Sequence, residues 1–508
     1  MNPSGTKWLA WLPIAAAIVL LAAAACGGDE AQVADEFPDP VETTFDENDR
    51  AAINRLFLSA LRFQEQGDFA SSIEVLDDLL RRDPGNSEAL YQRGNANRTL
   101  GQLEDAIGDY TAALRSDPEL VDAYLRRGVS HANLGRLEDA ILDFDQVILL
   151  DGPDATMLRN RGLAYYELGR WQEAIEDLDV AIELDPTMSV AFNDRGLSYV
   201  KLGQYKRAIE DFDQAVELNP TFIQALDNRG SAWQALGNFN WAIDDYDRAL
   251  SIDPSYAASY NNRGNAYRGL HDHESAIADY DEAIRLSPRS ASNYYNRGVA
   301  NGLLGEWSAA IRDYSFAITL DPIYSDAYYN RGGALGNLGD FEAALADLTA
   351  VITIQPTRAD AYHSRALAFL NLEEKDAALE DLNTAILLNP ELTIAYADRG
   401  VAYVRSGEYQ AALGDLNKAI TLDPELLVAY VNRGVAAYGL GDFEAALADY
   451  DHVAQVDPER FDTYAHRSRA LTMLGLDEQA AADIALLVGE GADIVGLEAE
   501  LAELRALR

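Results

Sequence analysis

Apolar and small residues recur at three- and four-residue spacing along nearly the whole chain, in short blocks separated by turn residues. Residues 294–322, YYNRGVANGLLGEWSAAIRDYSFAITLDP, show the unit: one apolar stripe on each side of Gly305, then a stop at Pro322. That pattern predicts two amphipathic helices joined by a turn, closed by a proline that cannot continue a helix. Helices of ~14 residues do not hold alone in water, so each must bury its stripe against neighbours. The stop recurs every 34 residues, at Pro84, Pro118, Pro186, Pro220, Pro254, Pro288, Pro322, Pro356, Pro390, Pro424 and Pro458. Only one slot breaks the series, where Gly152 is followed by Pro153. A fixed period of this length means stacked copies of one small unit rather than one globular core. The chain is therefore read as all-α, a solenoid of about thirteen 34-residue helix-turn-helix repeats over residues 51–494, the units running from Ile53 to Ile494.

With each proline slot numbered position 32, other positions fall into register. From the second unit on, position 20 is always alanine, as at Ala106, Ala276 and Ala480. Position 8 is glycine in ten of those twelve units, with Ala366 and Ser468 as the exceptions. A mid-helix glycine costs about 1 kcal/mol against alanine, so its recurrence predicts close approach of another helix. Position 24 is mostly large (Tyr110, Phe144, Tyr246, Tyr314) and position 27 mostly alanine. Position 7 is arginine and position 23 aspartate in all twelve units, which predicts a ladder of ion pairs within a unit or between neighbours. Tyrosine at position 4 in seven consecutive units, Tyr260 to Tyr464, is read as packing between helices rather than a binding stripe.

Small residues at positions 8, 20 and 27, an aromatic near 24 and proline at 32 resemble the tetratricopeptide repeat, over about 440 of the 508 residues. The resemblance implies a right-handed superhelix of helix pairs, with the first helix of each pair lining a concave groove. The arginine at position 7 departs from that family's pattern, which has an apolar residue there.

The ends read differently. Lys7 precedes an apolar run from Trp8 to Ala25, and Cys26, the one cysteine of the chain, follows at once. Residues 1–25 are read as a secretory signal. Ala23-Ala24-Ala25-Cys26 resembles the bacterial lipoprotein cleavage site, with alanine where leucine is usual, and implies lipidation at Cys26. The other reading is an uncleaved membrane helix, since 18 apolar residues are just long enough to span. Either places the repeats outside the cytoplasmic membrane, at the extracytoplasmic face. Residues 26–50, acidic and carrying Pro38 and Pro40, are read as a disordered tether. The first repeat is degenerate, with Ser59 and Val75 in the arginine and aspartate slots. The stripe Ile494, Leu497, Leu501 and Leu504 makes residues 495–508 a capping helix, with Glu500 off the stripe.

A formal net charge of −44 repels nucleic acid and anionic lipid headgroups and favours cationic or neutral partners. Signal, tether, repeats and cap use the whole sequence, so no enzyme and no cofactor is expected. The one local histidine cluster, His271-Asp272-His273-Glu274, lies in an inter-helix turn and is read as a turn variant rather than a metal site.

By the resemblance, positions 2, 5, 6 and 9 face the groove. Asparagine, a poor helix-interior residue, fills position 6 at Asn160, Asn228, Asn262, Asn296 and Asn330. Tyr295 and Tyr329 at position 5, with Asn265 nearby, complete the candidate partner-binding surface. The carboxamides can either hydrogen-bond the backbone of an extended peptide or be spent on neighbouring helices. Arg126 and Arg159 offer a docking point for an acidic segment. The expected function is a non-catalytic scaffold, a monomeric array or part of an envelope complex, that takes an extended or helical segment of a partner protein. The alternative is a carbohydrate-handling accessory of a polysaccharide export or envelope biogenesis machine, with tyrosines stacking on sugars.

Overall fold

The computed structural model describes residues 46–507. Among the described residues there are 27 helices and no strand, in pairs joined by short turns. The all-α solenoid expected from the period is the fold found. The chain falls into two compact units, one ending at Leu134 and the other starting at Gly135, in the inter-helix turn of the third repeat. The signal, Cys26 and most of the tether lie outside the described residues. No helix among the described residues is long and apolar enough to cross a membrane.

The ninth repeat shows how the sequence makes one pair. Ser325–Asn337 forms the first helix and Phe341–Ile354 the second. Gly339 closes the first with φ 81°, a left-handed conformation that costs glycine nothing. Its N–H donates to Gly336 O, and the Asp340 N–H donates to Leu335 O, both at 3.0 Å, the pair of hydrogen bonds that ends many helices. The Asp340 carboxylate then accepts from Ala343 N and caps the second helix. Gln355, with φ −130° and ψ 79°, has left the helical region that a following proline disfavours, and the helix stops. Two repeats manage the left-handed turn without glycine, at His271 (φ 63°) and Glu373 (φ 61°). Gly152, with φ 86°, ends the helix Leu137–Asp151 where the proline series breaks.

The glycines at position 8 have the cause their sequence implied. A Cβ added to Gly264 would lie 2.7 Å from Tyr280 Cε1, and one added to Gly196 would lie 2.6 Å from Phe212 Cε1. The position-24 ring lies flat against bare backbone, and Tyr110, Tyr246 and Tyr280 are fully buried. Burial pushes the Tyr110 and Tyr280 phenols up to about 12. They stay protonated and donate to Asn95 and Asn265 at 2.9 and 2.8 Å. The alanines at position 20 are buried beneath.

One boundary differs from expectation. The first helix starts at Glu47, inside the segment read as tether, because Asp46 caps it by accepting from Asp49 N and acidic residues fill its first turn. At the far end Val495–Leu507 is a helix that packs on Phe461–Met473 through buried Leu501. Glu500, still partly exposed, makes a two-pronged pair with Arg469, at 2.9 Å on each oxygen.

Candidate partner-binding face

Two sets of polar side chains run along the array, one in the seam between helices and one on the face of the first helices. The seam belongs to position 7. Arg297 grips Asp313 of its own repeat with two nitrogens, Nε at 3.0 Å and Nη2 at 2.6 Å. Its Nη1 reaches back 2.5 Å to Asp281 of the repeat before. Arg297 thus ties its own second helix to that of the preceding repeat, as Arg161, Arg331 and Arg433 do. The far acceptor stands at position 25, and its identity varies: Asp281 for Arg297, Ser315 for Arg331, Thr349 for Arg365, Asn417 for Arg433. The near partners are buried, Asp313 at 4 % exposure, while Asp281 remains 56 % exposed.

The position-4 tyrosines complete the seam. The guanidinium carbon of Arg297 lies 5.8 Å from the centre of the Tyr294 ring, and Arg433 lies 5.2 Å from Tyr430, cation–π distances. Tyr362 and Tyr464 donate their hydroxyls to Pro356 O and Pro458 O of the preceding turn. The tyrosine stripe is packing, with the arginine ladder as its partner. The Asp313 hydrogen bond, joined by Asp281, raises Arg297 further above its ordinary range against the cost of burial. For Asp245 and Asp279, burial outweighs the arginine and raises the carboxyl.

On the face of the first helices, position 5 of one repeat meets position 6 of the next, 35 residues on. Seven consecutive rungs form: Arg159·Asp194, Asn193·Asn228, Asp227·Asn262, Asn261·Asn296, Tyr295·Asn330, Tyr329·Ser364 and His363·Asp398. Their lengths run from 2.6 Å for Arg159·Asp194 to 3.1 Å for Tyr329·Ser364. Asn228, Asn262, Asn296 and Asn330 each spend an amide hydrogen on the neighbouring helix. Of the two ways to use a carboxamide here, the neighbouring helix takes the first bond. Tyr295 accepts from Asn330, and Tyr329 lies under the Arg358 guanidinium, 4.3 Å from its ring centre. Asn265 is held by Tyr280, and Asn160 stands beside the start of the run, half-buried. Arg159 is not available to an acidic partner, because Asp194 holds it at 2.6 Å. Burial raises the Asp194 carboxyl despite Arg159, and Asp227 behaves alike. Burial raises its carboxyl against hydrogen bonds from Ser259 and Asn262.

The face is not uniform. At the ninth repeat it opens into a hollow of about 540 Å³, walled by Trp307, Tyr329, Phe341, Leu348 and Leu367, with Gly333 and Gly336 along one side. The repeat pattern alone revealed neither this hollow nor the position-25 acceptors. The signal for the hollow is the three glycines of one short helix, Gly332, Gly333 and Gly336. The His271–Glu274 turn brings its two rings no closer than 6.1 Å between centres. No group of three potential metal ligands occurs among the described residues.

With repeat, seam and face in place, the class of protein is defined. The chain belongs to the tetratricopeptide repeat family. Models of the tetratricopeptide repeat match residues 57–120, 93–149, 125–189 and 363–426, then 189–222 and 257–290, then 325–358 and 427–460. A TPR repeat model matches 230–270. A search of curated protein sequences finds no match. Among solved structures the chain is similar to MamA, with 28 % identity over 34 % of this chain and 93 % of that one, at a TM-score of 0.32. It is similar to YrrB, described as a TPR protein with an unusual peptide-binding site, at 26 % identity over 37 % of this chain and 96 % of that one, TM-score 0.33. Yeast Tom70 aligns over 89 % of this chain and 99 % of its own, at 17 % identity and a TM-score of 0.36.

Proposed function

We propose that this protein is a non-catalytic scaffold, held by lipid on Cys26 at the extracytoplasmic face of a bacterial membrane, that takes an extended or helical segment of a partner protein along its first-helix face. The rung ladder from Arg159 to Asp398 carries the reading. It fixes the rotamers of a row of half-buried polar and aromatic side chains before any partner arrives. A surface organised in advance loses less freedom on binding, so more of each contact appears as affinity. The remaining carboxamide and hydroxyl groups of the rungs suit a peptide backbone. The position-4 tyrosines pack in the arginine seam, and Tyr295 and Tyr329 of the face are held in rungs, which favours the protein reading over the carbohydrate one.

The test is site-specific photo-crosslinking in intact envelopes, with the probe residue at Leu367 on the first-helix face or at Leu387 on the exposed side of a second helix. A protein adduct at 367 and none at 387 is the expected result. Adducts at 387 alone would place binding on the other side and overturn the face reading. Cys26→Ser should move the chain from the membrane fraction to the soluble one, and its retention in the membrane would refute the lipid anchor.

A further inference from the structure

The hollow at the ninth repeat has its origin in two glycines that packing does not require. Gly332 is tightly placed, since an added Cβ would sit 3.2 Å from Leu348 Cγ and that side chain would have to give by a few tenths of an ångström. Gly333 and Gly336 are different: a Cβ added at either meets nothing within 4 Å. The tenth repeat carries Leu367 and Leu370 at the same two positions, and the eleventh carries Val401 and Val404. Each glycine weakens its helix without a compensating contact, and rules of local stability are broken most often where a site is being built. What the two missing side chains leave is the hollow, about 540 Å³, within the ~300–1,000 Å³ of ligand sites.

Its lining says what fits. The walls are Trp307, Tyr329, Phe341 and Leu367. The nearest amides each spend one hydrogen inside their own helix, Asn337 on Gly333 O at 3.0 Å and Asn371 on Leu367 O at 2.8 Å, while the walls themselves are apolar and aromatic. An apolar group is the better occupant. The rim says what lies beside it. Glu306 and Asp340 stand exposed, each next in sequence to a wall residue, Trp307 and Phe341, and Glu374 is exposed in the corresponding turn of the tenth repeat. Lys375 beside it is paired with Glu408, and Arg358, over the Tyr329 ring, is held between Asp326 and Asp360. A second copy of a chain with net charge −44 would be repelled from this rim.

We propose that the hollow between Trp307 and Phe341 is the anchor site for one bulky apolar side chain of a partner polypeptide whose neighbouring residues are lysine or arginine. The proposal rests on the protein-binding reading above and names its specificity. Large apolar anchors in desolvated pockets carry most of the energy of such contacts, and rim charges steer the encounter.

The experiment selects displayed random peptides of about twelve residues on the full chain and, in parallel, on Gly333→Leu/Gly336→Leu, which copies the tenth repeat. Both leucines enter open space on better helix formers, so the variant should melt no lower than the parent. Peptides recovered on the parent should share a bulky apolar residue beside Lys or Arg, and fall at least tenfold on the filled variant. A second variant, Glu306→Lys/Glu374→Lys, leaves the hollow open and should exchange the basic neighbours for acidic ones. Recovery of the same peptides on parent and filled variant would overturn the anchor site while leaving the wider face reading intact. Basic neighbours that persist on the charge-reversed rim would overturn the charge selection. Retention of soluble envelope polysaccharide by the parent, with no peptide recovered, would overturn both readings in favour of a carbohydrate ligand.

Discussion

The seam and the first-helix face are both polar ladders that climb the same array with nearly the same stride, yet they are built on opposite terms. In the seam, arginine and its near aspartate are the same two residues in twelve repeats, and only the far acceptor changes. On the face, the seven rungs are made from Arg·Asp, Asn·Asn, Asp·Asn, Tyr·Asn, Tyr·Ser and His·Asp pairs with one geometry. The seam buries a carboxylate that needs one specific fork of donors. The face asks only for a donor and an acceptor of suitable reach, whether half-exposed or, as at Asn193, Asp194, Asp227 and His363, buried, so its chemistry is free to differ from repeat to repeat. A solenoid thus separates what holds it together from what it presents.

Arg297→Met should have the largest effect, since it leaves Asp313 buried without its cation, and breaking such a pair costs about 3–5 kcal/mol. Because repeats unfold piecewise, hydrogen exchange in the eighth repeat is the measurement, and protection equal to the parent would refute a structural seam. Gly264→Ala should come next. Its methyl would press on the Tyr280 ring, and overpacking of this kind costs about 1–3 kcal/mol, read from the guanidinium midpoint. Gly332→Ala, with 3.2 Å to Leu348, should be milder.

Asp227→Asn tests the face by pH. Burial raises this carboxyl in the folded chain. Such a group favours the fold below the ordinary carboxylate pKa, and that advantage is lost as pH rises through the raised value. The asparagine variant, which can form the Asn·Asn rung already present at Asn193·Asn228, should therefore melt higher than the parent at neutral pH. The gap should close as pH falls to about 4. A gap independent of pH would show that the carboxylate charge is not the cause. The smallest effect belongs to Asp281→Asn. Asp281 is the exposed far acceptor of the seam, and its loss should cost about 0–1 kcal/mol in the same exchange experiment that reads Arg297→Met. An equal loss at both sites would mean that the far contact, not the buried fork, ties the repeats.

Whatever recurs as an identical residue is legible in the sequence alone. Proline at 32, glycine at 8, alanine at 20 and the arginine and aspartate of the seam show themselves by repetition, and each repeats because a fixed steric or electrostatic demand admits one residue type. The position-25 acceptors stay hidden because aspartate, serine, threonine and asparagine all meet the same demand. The tyrosine stripe is legible as packing, though not as the lid of the guanidinium groups.

The order of residues along the chain was enough to define the repeat, its helices and turns, the close contacts at glycine and the recurring arginine and aspartate of the seam, though not which helices that pair joins. Its period also set which side chains face together, because in a solenoid contact follows register. Three-dimensional packing was needed to show where the asparagines of the face spend their hydrogen bonds, since the two members of each rung lie 35 residues apart and are related by complementarity, not identity. Packing also decides that Gly333 and Gly336 open a hollow, because an empty volume belongs to the walls around it, and those walls come from three successive repeats.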